Sequence, residues 1–297
     1  MSEQVVEEAQ RKAAVLAEAL PYIQSFRHKV VAIKLGGSTM DKKAMLESLF
    51  LDVVFMAAVG MRPLIVHGGG PAISREMERR GKKPVFVNGH RVTDAETLEI
   101  ARSVLVDRIN ADIVAQLRSL GAQAQSVFGA PLRARRKVVE EKDASGAVKR
   151  YDLGLVGVME DVDVAHFRGV LDAGAIPVVA PIACGPAGEA LNVNADSVAA
   201  FLAGRLRAEK LVFLSDVHGI MTNPPDPASF ADTLDEPSVE RLIKDGVISG
   251  GMRPKVEACI AALDGGVRKA HIIDGRMEHS LLLEVFTSAG VGTQIVK

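Results

Sequence analysis

Aromatic residues are scarce in this chain of 297 residues, which has no Trp and only two Tyr. Few side chains are therefore available to stack on nucleobases. The charged residues add no attraction for a polyanion, because 36 Lys and Arg are balanced by 37 Asp and Glu and the formal net charge is −1. We therefore expect no nucleic-acid partner.

Cysteine is equally rare. Cys184 and Cys259 form neither a C-x-x-C pair nor a metal-binding cluster, and we interpret them as buried free thiols in a reducing cytosol. Long apolar runs are also missing: the longest uncharged stretch, 173–188, contains three prolines and falls short of a spanning helix. The N-terminus is acidic and lacks the basic and apolar regions of a secretory signal. A cytoplasmic protein without a membrane partner is the expectation.

Several common catalytic motifs are absent. The chain has no G-x-x-x-x-G-K-S/T loop, no G-x-G-x-x-G after its first predicted strand, and none of the protein-kinase motifs. It also lacks H-E-x-x-H, clustered Cys and His, and a G-x-S-x-G elbow. These absences argue against a P-loop enzyme, a dinucleotide-dependent dehydrogenase, a zinc enzyme and a serine hydrolase.

The sequence does contain enough apolar residues for a large core, since 48% of residues are hydrophobic and the length favours about two domains. Short apolar segments typical of strands alternate with segments of helical periodicity. Strands are predicted at 30–35, 63–67, 123–128, 176–180, 210–214 and 270–273, and helices at 41–59, after Pro71, and at 94–120 from a Thr93-Asp94 cap. This alternation predicts an α/β fold, a three-layer αβα sandwich with a mostly parallel central sheet.

The N-terminal segment lies outside that alternation. Its apolar residues recur at spacings of three and four, which predicts an amphipathic helix. They are Val6, Ala9, Ala13, Leu16, Leu20 and Ile23. Pro21 must kink or restart this helix, because proline lacks the N–H group and clashes with the preceding turn. Two interpretations stay open: the helix packs on its own domain, or it pairs with a neighbouring subunit.

A second irregular segment, 133–152, is charged and alternating, and has turn-forming residues at 143–146. This pattern predicts an exposed hairpin. Its basic residues either form a solvated face or belong to a flap near a binding site.

Three glycine-bearing loops are the most informative feature of the chain: Lys34–Gly37, His67–Gly70 and Gly250–Lys255. Glycine allows successive backbone N–H groups to point into one concavity, which binds an anion, and a helix that follows adds its positive dipole end. Phosphoryl transfer mainly requires positioning and positive charge. Lys34 and Lys255 are suited to supply that charge, and Asp196 is suited to hold both ammonium groups. The alternative is that Lys34, like most lysines, is a surface residue.

These loops belong to a longer ordered set of segments that covers nearly the whole chain. The set consists of Lys34–Gly37, Val66–Pro71, Asn88–Asp94, Asn192–Asp196, Leu214–Gly219, Gly250–Lys255, His271–Arg276 and Gly290–Thr293. In this order the segments resemble the acetylglutamate kinases, a family of the amino-acid kinase superfamily. The resemblance implies an amino-acid kinase-like fold and a kinase that uses ATP with Mg²⁺ carried by the nucleotide.

The resemblance also implies two domains and a set of site residues. Residues 1–207 would hold the N-terminal helix and the part that binds N-acetyl-L-glutamate and dimerises, and residues 208–297 would bind ATP. The catalytic residues would be Lys34, Lys255 and Asp196, and the acid would contact Gly69, Gly70, Arg91 and Asn192. The nucleotide would contact Gly36, Gly37, Asp216, Val217, His218, Gly219, Ile220, Met221, Val247, Ile248 and Ser249. The acid's own γ-carboxylate would be the nucleophile, and because it is ionised at neutral pH no catalytic base would be required.

Departures from the family pattern flank the acid-binding end: Ser38-Thr39, His90 and the stretch 129–132 after Phe128. A kinase for an aminoadipate derivative is therefore the nearest alternative, and a catalytically silent amino-acid sensor is another. Carbamate and UMP kinases fit the segments around Arg91 and Asn192 less well. The helix before the first strand and the stretch Glu284–Gly292 also resemble features of hexameric, arginine-inhibited members of the family. This resemblance predicts a homo-oligomer, which is at least a dimer and which we interpret as a hexamer. It also predicts arginine as an inhibitor.

Overall fold

Strands and helices alternate along most of the chain in the computed structural model, which describes residues 3–36, 43–142, 148–224, 226–287 and 290–297. The strands within these residues are β1 (Val30–Leu35), β2 (Arg62–His67), β3 (Phe86–Val87), β4 (His90–Arg91), β5 (Ala124–Lys142), β6 (Val148–Val162), β7 (Ile176–Cys184), β8 (Ala190–Val193), β9 (Lys210–Ser215), β10 (Thr233–Asp235), β11 (Lys269–Asp274) and β12 (Gly292–Val296). The α-helices are α1 (Glu3–Phe26), α2 (Lys43–Ala58), α3 (Gly70–Arg79), α4 (Ala95–Arg102), α5 (Ala111–Ser119), α6 (Val164–Asp172), α7 (Ala195–Leu206), α8 (Glu236–Lys244), α9 (Met252–Asp264) and α10 (Ser280–Phe286).

Ten strands form one mixed sheet in the order β10-β12-β11-β9-β1-β2-β7-β5-β6-β8. Neighbouring strands from β11 to β5 pair in parallel. Antiparallel pairs, β11 with β12 and β5 with β6, lie on either side of this parallel centre. Strands β3 and β4 form a separate antiparallel hairpin. All six strands predicted from the sequence belong to the parallel centre.

Both faces of the parallel centre are buried, which explains why its strands are almost continuously apolar. Along β1, Val31, Ile33 and Leu35 contribute to one hydrophobic core, and Ala32 contributes to another. Side chains of α2, α5 and α10 complete the first core, and side chains of α7 and α9 complete the second. Because successive side chains of a strand point to opposite faces, helices cover the sheet on both sides.

The long helix predicted at 94–120 is confirmed at its start. The Asp94 side chain accepts a hydrogen bond from the Thr97 backbone N–H and so caps α4. The helical run continues to Ser119, but its middle, Ser103–Asn110, is π-helical and joins α4 to α5. The change of winding was not predicted, because apolar spacing does not distinguish a π turn from an α turn.

The N-terminal segment forms one helix, α1, that continues through Pro21 without a restart. Its apolar stripe is largely uncovered within a single chain: Leu16 is 64% exposed and Leu20 is 50% exposed. Phe26, at the end of α1, does pack against the core. The stripe is therefore not buried by its own chain over most of its length.

The hairpin predicted at 133–152 is confirmed and is longer than expected. Residues Leu132–Lys142 of β5 pair antiparallel with Val148–Val162 of β6. The strand predicted at 123–128 and the first arm of the hairpin form one continuous strand, β5, which pairs with β7 as far as Arg133 and beyond that residue, among the described residues, pairs only with β6. The predicted turn, 143–146, lies outside the described residues. None of the helices described by the structure has both the length and the apolar character needed to cross a membrane.

Candidate active site

The candidate active site lies where the direction of chain winding reverses in the sheet. Strand β1 has β2 on one side and β9 on the other, and all three are parallel. Loops that leave the carboxyl ends of such strands diverge and open a crevice, which is where open α/β sheets bind ligands. Lys34 lies at this end of β1, Gly68 follows β2 and Asp216 follows β9.

A cavity of about 230 Å³ occupies this crevice. It is lined by Lys34, Gly68, Gly69, Gly70, Ile73, Phe86, Gly89, His90, Arg91, Leu105, Val156, Pro181, Asn192, Val193, Asn194, Ala195 and Asp196. Every residue predicted to bind the acid is among them, together with two of the three predicted catalytic residues. The fold thus brings together residues that are up to 162 positions apart, from Lys34 to Asp196.

Lys34 and Asp196 form a buried ion pair. The Lys34 Nζ lies 2.7 Å from Asp196 Oδ1, and the two side chains are 8% and 11% exposed. Asp196 lies in the first turn of α7, whose N-cap residue Asn194 accepts a hydrogen bond from the Ser197 backbone N–H. A carboxylate is favoured at this end of a helix. The surface-lysine alternative for Lys34 is therefore wrong, because the side chain is buried. Asp196 supplies the partner that a buried ammonium group requires.

Lys255 approaches the same pair from the first turn of α9, where its Nζ donates a 2.9 Å hydrogen bond to the Gly251 carbonyl. Burial lowers the pKa of Lys255, the charge of Asp196 raises that pKa, and the charge of Lys34 lowers it. Asp216 raises the pKa as well. The two lysines and two aspartates are thus close enough for their charges to interact, although Lys255 does not line the cavity.

Arg91 is an almost buried cation, 8% exposed, held by neutral groups. Its Nη2 donates to the Gly70 carbonyl at 2.9 Å and to Ser74 Oγ at 2.8 Å, and its Nη1 lies 3.2 Å from Met77 Sδ. The guanidinium carbon lies 4.7 Å from the centre of the Phe86 ring. Burial lowers the pKa of Arg91. Two of its five N–H groups remain for a ligand in the cavity.

Among the described residues, no carboxylate lies within ion-pair distance of Arg91. A buried guanidinium without a counter-charge is a candidate partner for an anionic ligand.

Two more predicted acid-binding groups lie beside Arg91. Gly69 is the N-cap residue of α3 and Gly70 its first residue, and both line the cavity, so the positive end of the helix, with its backbone N–H groups that lack helical partners, borders the cavity. The Asn192 amide donates to Thr93 Oγ1 at 3.3 Å, and the Thr93 hydroxyl donates to the Arg91 carbonyl at 2.9 Å. Asn192 is thereby tied to the strand that carries Arg91.

The predicted nucleotide-binding residues lie around the carboxyl end of β9. In the turn 216–221, Asp216, Val217, His218 and Met221 are exposed, Gly219 is intermediate and Ile220 is buried. The Ile220 backbone N–H donates to Thr293 Oγ1 at 2.8 Å, which anchors the turn to β12. His218 Nδ1 lies 3.0 Å from Asp274 Oδ2.

The other predicted nucleotide-binding residues lie before α9 and after β1. Val247, Ile248 and Ser249 belong to the loop between α8 and α9, where Ile248 is buried. Gly36 is buried directly after β1, and Gly37 lies outside the described residues together with the departures Ser38 and Thr39.

Sequence reasoning missed one contact that reaches the cavity from the hairpin. Lys137, on β5, places its Nζ 2.6 Å from Nε2 of the cavity residue His90. Burial lowers the pKa of His90, and the Lys137 charge lowers it further. The flap interpretation therefore applies to Lys137, whereas Arg135 and Arg150 pair with surface carboxylates. No sequence signal connects positions 90 and 137, because only the path of β5 brings them together.

Comparison with known proteins agrees with the geometry of the site. A model of the amino acid kinase family matches residues 29–274. The acetylglutamate kinase of Moorella thermoacetica is 50% identical over 287 residues, 96% of this chain and 97% of the relative. That of Pelotomaculum thermopropionicum is 47% identical over 289 residues, 96% of this chain and 98% of the relative. This chain belongs to the amino acid kinase family, among the acetylglutamate kinases.

Solved structures agree with this assignment. N-acetylglutamate synthase from Neisseria gonorrhoeae, complexed with coenzyme A and N-acetyl-glutamate, superposes with a TM-score of 0.83 at 29% identity. The same protein complexed with coenzyme A and L-arginine gives a TM-score of 0.77 at 26% identity. Each match covers 96% of this chain, but the chain spans only 63% and 65% of the synthase chains.

Proposed function

We propose that this chain transfers a phosphoryl group from ATP to the γ-carboxylate of N-acetyl-L-glutamate, which yields an acyl phosphate for arginine biosynthesis. The observation that carries the proposal is that one cavity contains both a buried Lys34–Asp196 pair and the uncompensated guanidinium of Arg91. The first supplies charge for phosphoryl transfer, and the second selects an acid as acceptor.

Each residue has a role that its surroundings support. The two remaining N–H groups of Arg91 bind a carboxylate of the acid, and Asn192 binds beside it. Negative charge develops on the oxygens of the transferred phosphoryl group. It is stabilised by the backbone N–H groups of Gly69 and Gly70 and by the ammonium groups of Lys34 and Lys255. Asp196 keeps the two ammonium groups oriented and in the charged state. The acceptor carboxylate attacks phosphorus directly, so the site needs no base.

ATP would bind over the turn 216–221, Val247–Ser249 and the Gly36–Gly37 loop. Within the described residues no group of three or more His, Cys, Asp or Glu side chains is placed to hold a metal ion. The resemblance to the acetylglutamate kinases implies Mg²⁺ on the nucleotide phosphates, where it would neutralise part of their charge. The protein's contribution is the pair of lysines and the loop amides.

Three structural expectations from the sequence are carried forward as part of this proposal. They are an acid-binding domain at 1–207, a nucleotide-binding domain at 208–297, and the three-layer αβα arrangement. The hydrophobic cores on both faces of the sheet support the layered arrangement. We also propose a cytoplasmic location, which the free thiols of Cys184 and Cys259 support.

The activity is tested by ADP release over a panel of acids with hydroxylamine present to trap acyl phosphate. The panel contains N-acetyl-L-glutamate, N-acetyl-L-aspartate and an N-acetylated aminoadipate. The proposal predicts ADP and hydroxamate in equal amounts with N-acetyl-L-glutamate as the preferred acid. Preference for the longer acid would favour the aminoadipate alternative, and no turnover with any acid would favour a silent sensor.

A buried charge cluster supports regulation by arginine. Glu284 Oε1 lies 2.8 Å from Lys210 Nζ and 2.7 Å from His271 Nδ1, and all three residues are at most 6% exposed. Lys210 Nζ lies 5.8 Å from the centre of the Phe26 ring at the end of α1, and Glu284 Oε2 accepts from the Val291 N–H at 3.3 Å. One carboxylate thus connects the N-terminal helix with the C-terminal stretch, and a guanidinium ligand would compete for it.

We propose that arginine binds at Glu284 and that α1 links dimers into a hexamer through its exposed stripe. Glu284→Gln should remove arginine inhibition and leave the uninhibited kcat within about twofold, because the cluster is separate from the cavity. Glu278→Gln, on the nearby exposed loop, is the matched control and should remain sensitive. Inhibition of Glu284→Gln at the unchanged arginine concentration would contradict the assignment.

The assembly is tested by light scattering at micromolar concentration. The unaltered chain should have the mass of six subunits, and Leu16→Glu should have the mass of two, because a charge on the stripe opposes its burial. Gln10→Glu, off the stripe on the same helix, should leave the mass unchanged. A dimer for the unaltered chain would refute the hexamer.

A further inference from the structure

Two fully buried polar side chains lie beside the glycine loop, and neither has a role in the proposed phosphoryl transfer. They are His67, the last residue of β2, and Asn110, the last residue of the π-helical segment. Asn110 Nδ2 lies 3.1 Å from His67 Nε2 and 2.9 Å from the Val178 carbonyl oxygen. His67 Nδ1 lies 2.9 Å from the Gly68 carbonyl oxygen. These contacts form a chain of hydrogen bonds from β7 to the glycine loop.

The Val178 carbonyl fixes the protons of this chain. A carbonyl oxygen can only accept, so Asn110 must present its NH₂ group to Val178, and its second N–H then points at His67 Nε2. Nε2 therefore accepts and carries no proton. The pKa of His67 is lowered to about 4, because the lowering by burial outweighs the opposite effect of the hydrogen bond to Gly68. The ring is thus neutral at pH 7, and its single proton lies on Nδ1 and is donated to Gly68.

The Gly68 carbonyl in turn fixes an N–H group of the cavity. In a trans peptide the C=O and the following N–H point in opposite directions. Because His67 holds the Gly68 carbonyl, the Gly69 N–H must point away from the His67 ring. Within the described residues no backbone or side-chain acceptor is bonded to that N–H, and Gly69 lines the cavity.

The π-helical segment touches the loop at a second point. A Cβ on Gly69 would lie 2.6 Å from Leu105 Cδ2 and 2.9 Å from Ile109 Cδ1, so both side chains pack directly on this glycine. The i→i+5 hydrogen bonds of π winding bring residues five apart towards one face, which is the spacing of Leu105 and Asn110. The unusual winding therefore lets one segment both pack on Gly69 and reach His67.

We propose that Asn110 and His67 are positioning residues that aim the Gly69 N–H at the transferred phosphoryl group. The inference rests on the proposed phosphoryl transfer. Neither side chain touches the substrates; both act through the Gly68–Gly69 peptide. Without the Asn110 donor, Nε2 has no partner and the ring is no longer tied to β7, so the Nδ1–H can turn away from the Gly68 carbonyl. Glycine on both sides gives the peptide little steric resistance to rotation.

Two measurements test this proposal. The first is ¹⁵N NMR of the unaltered protein with labelled histidine, in which His67 is assigned by its loss in His67→Gln. The expected pattern is a proton on Nδ1 that persists to pH 5. The second compares the kinetics of Asn110→Leu and Asn110→Asp with those of Thr97→Val. The control removes a buried hydroxyl on the same helical run without touching the loop.

Asn110→Leu should lower kcat at least about tenfold and leave KM for ATP within about twofold of its original value. For comparison, complete loss of an oxyanion donor lowers kcat by about 10²–10³ fold. In Asn110→Asp the carboxylate can accept from Nε2 and hold the ring doubly protonated, so the Nδ1 donation to Gly68 is kept and kcat should fall less than in Asn110→Leu. Thr97→Val should keep kcat. A proton on Nε2 in the unaltered protein would overturn the proposal, whether or not the variants fold. So would a kcat for Asn110→Leu that matches the control. If the unaltered chain has no kinase activity, the proposed function fails instead, and the NMR result still reports the hydrogen-bond chain.

Discussion

Replacing Arg91 with Lys tests how the site selects an acid. Lysine keeps the positive charge but loses the planar group that is bonded to Gly70 and Ser74 and stacked on Phe86. It also loses the two N–H groups that we assign to the acid's carboxylate. One or two hydrogen bonds to a charged group contribute about 1–3 kcal/mol, and about 1.4 kcal/mol corresponds to a tenfold change. KM for the acid should therefore rise about 5- to 150-fold.

The assay is coupled ADP release, with each substrate varied in turn while the other is saturating. Because the carboxylate contact is the same before and during phosphoryl transfer, kcat should change much less than KM for the acid. Arg79→Lys is the matched control: it lies on the same helix as Ser74, with a side chain that is 70% exposed. Its constants should remain within about twofold. An equal rise in KM for both substrates would refute the reasoning, since it would assign Arg91 a structural role.

Three further predictions follow from the charged groups. Lys34→Ala should lower kcat by about 10²–10³ fold with little change in KM for ATP, since its interaction strengthens as charge develops on the phosphoryl oxygens; a change confined to that KM would contradict a transition-state role. Burial lowers the pKa of Lys255, and the lysine must be protonated to act. As the pH rises, kcat should therefore begin to fall at a pH below about 10.4, the usual pKa of lysine. Asp196→Asn, measured as a kcat–pH profile, should move this fall to lower pH because it removes a charge that raises the pKa. Burial alone would raise the pKa of Glu284, but His271 and Lys210 outweigh burial and bring the pKa to about 2. The unaltered chain should therefore be more stable than Glu284→Gln above about pH 5, and this difference in the free energy of unfolding should disappear as the pH falls towards 2. Chemical unfolding at a series of pH values measures it.

Local sequence was sufficient where one physical signal decided the outcome. Apolar runs located the six parallel strands because strands buried on both faces have no polar side to interrupt them. The Thr93-Asp94 pair located the start of a helix because a capping side chain acts within three residues. The glycine loops located the site because few other residues allow the backbone to approach an anion.

Contacts between distant segments were beyond the reach of local patterns. The Lys137–His90 contact depends on the path of β5 beyond the residues that pair with β7. The link from Asn110 to His67 depends on a π-helical segment that the local pattern of apolar residues did not reveal. The placement of Lys34 and Asp196 in one cavity was expected from the charges that phosphoryl transfer requires and from the resemblance to a known family. Their spacing of 162 positions in the chain carries no geometric information.

Oxygen labelling shows whether the acid's own carboxylate attacks phosphorus. N-acetyl-L-glutamate with ¹⁸O in the γ-carboxylate is phosphorylated with ATP, the product is cleaved with hydroxylamine, and the released phosphate is examined by ³¹P NMR. Hydroxylamine attacks the carbonyl carbon, so the bridging oxygen leaves with phosphorus. We predict phosphate that carries one ¹⁸O atom. Unlabelled phosphate released with stoichiometric ADP would show that water, rather than the acid, had taken the phosphoryl group, and would contradict the account.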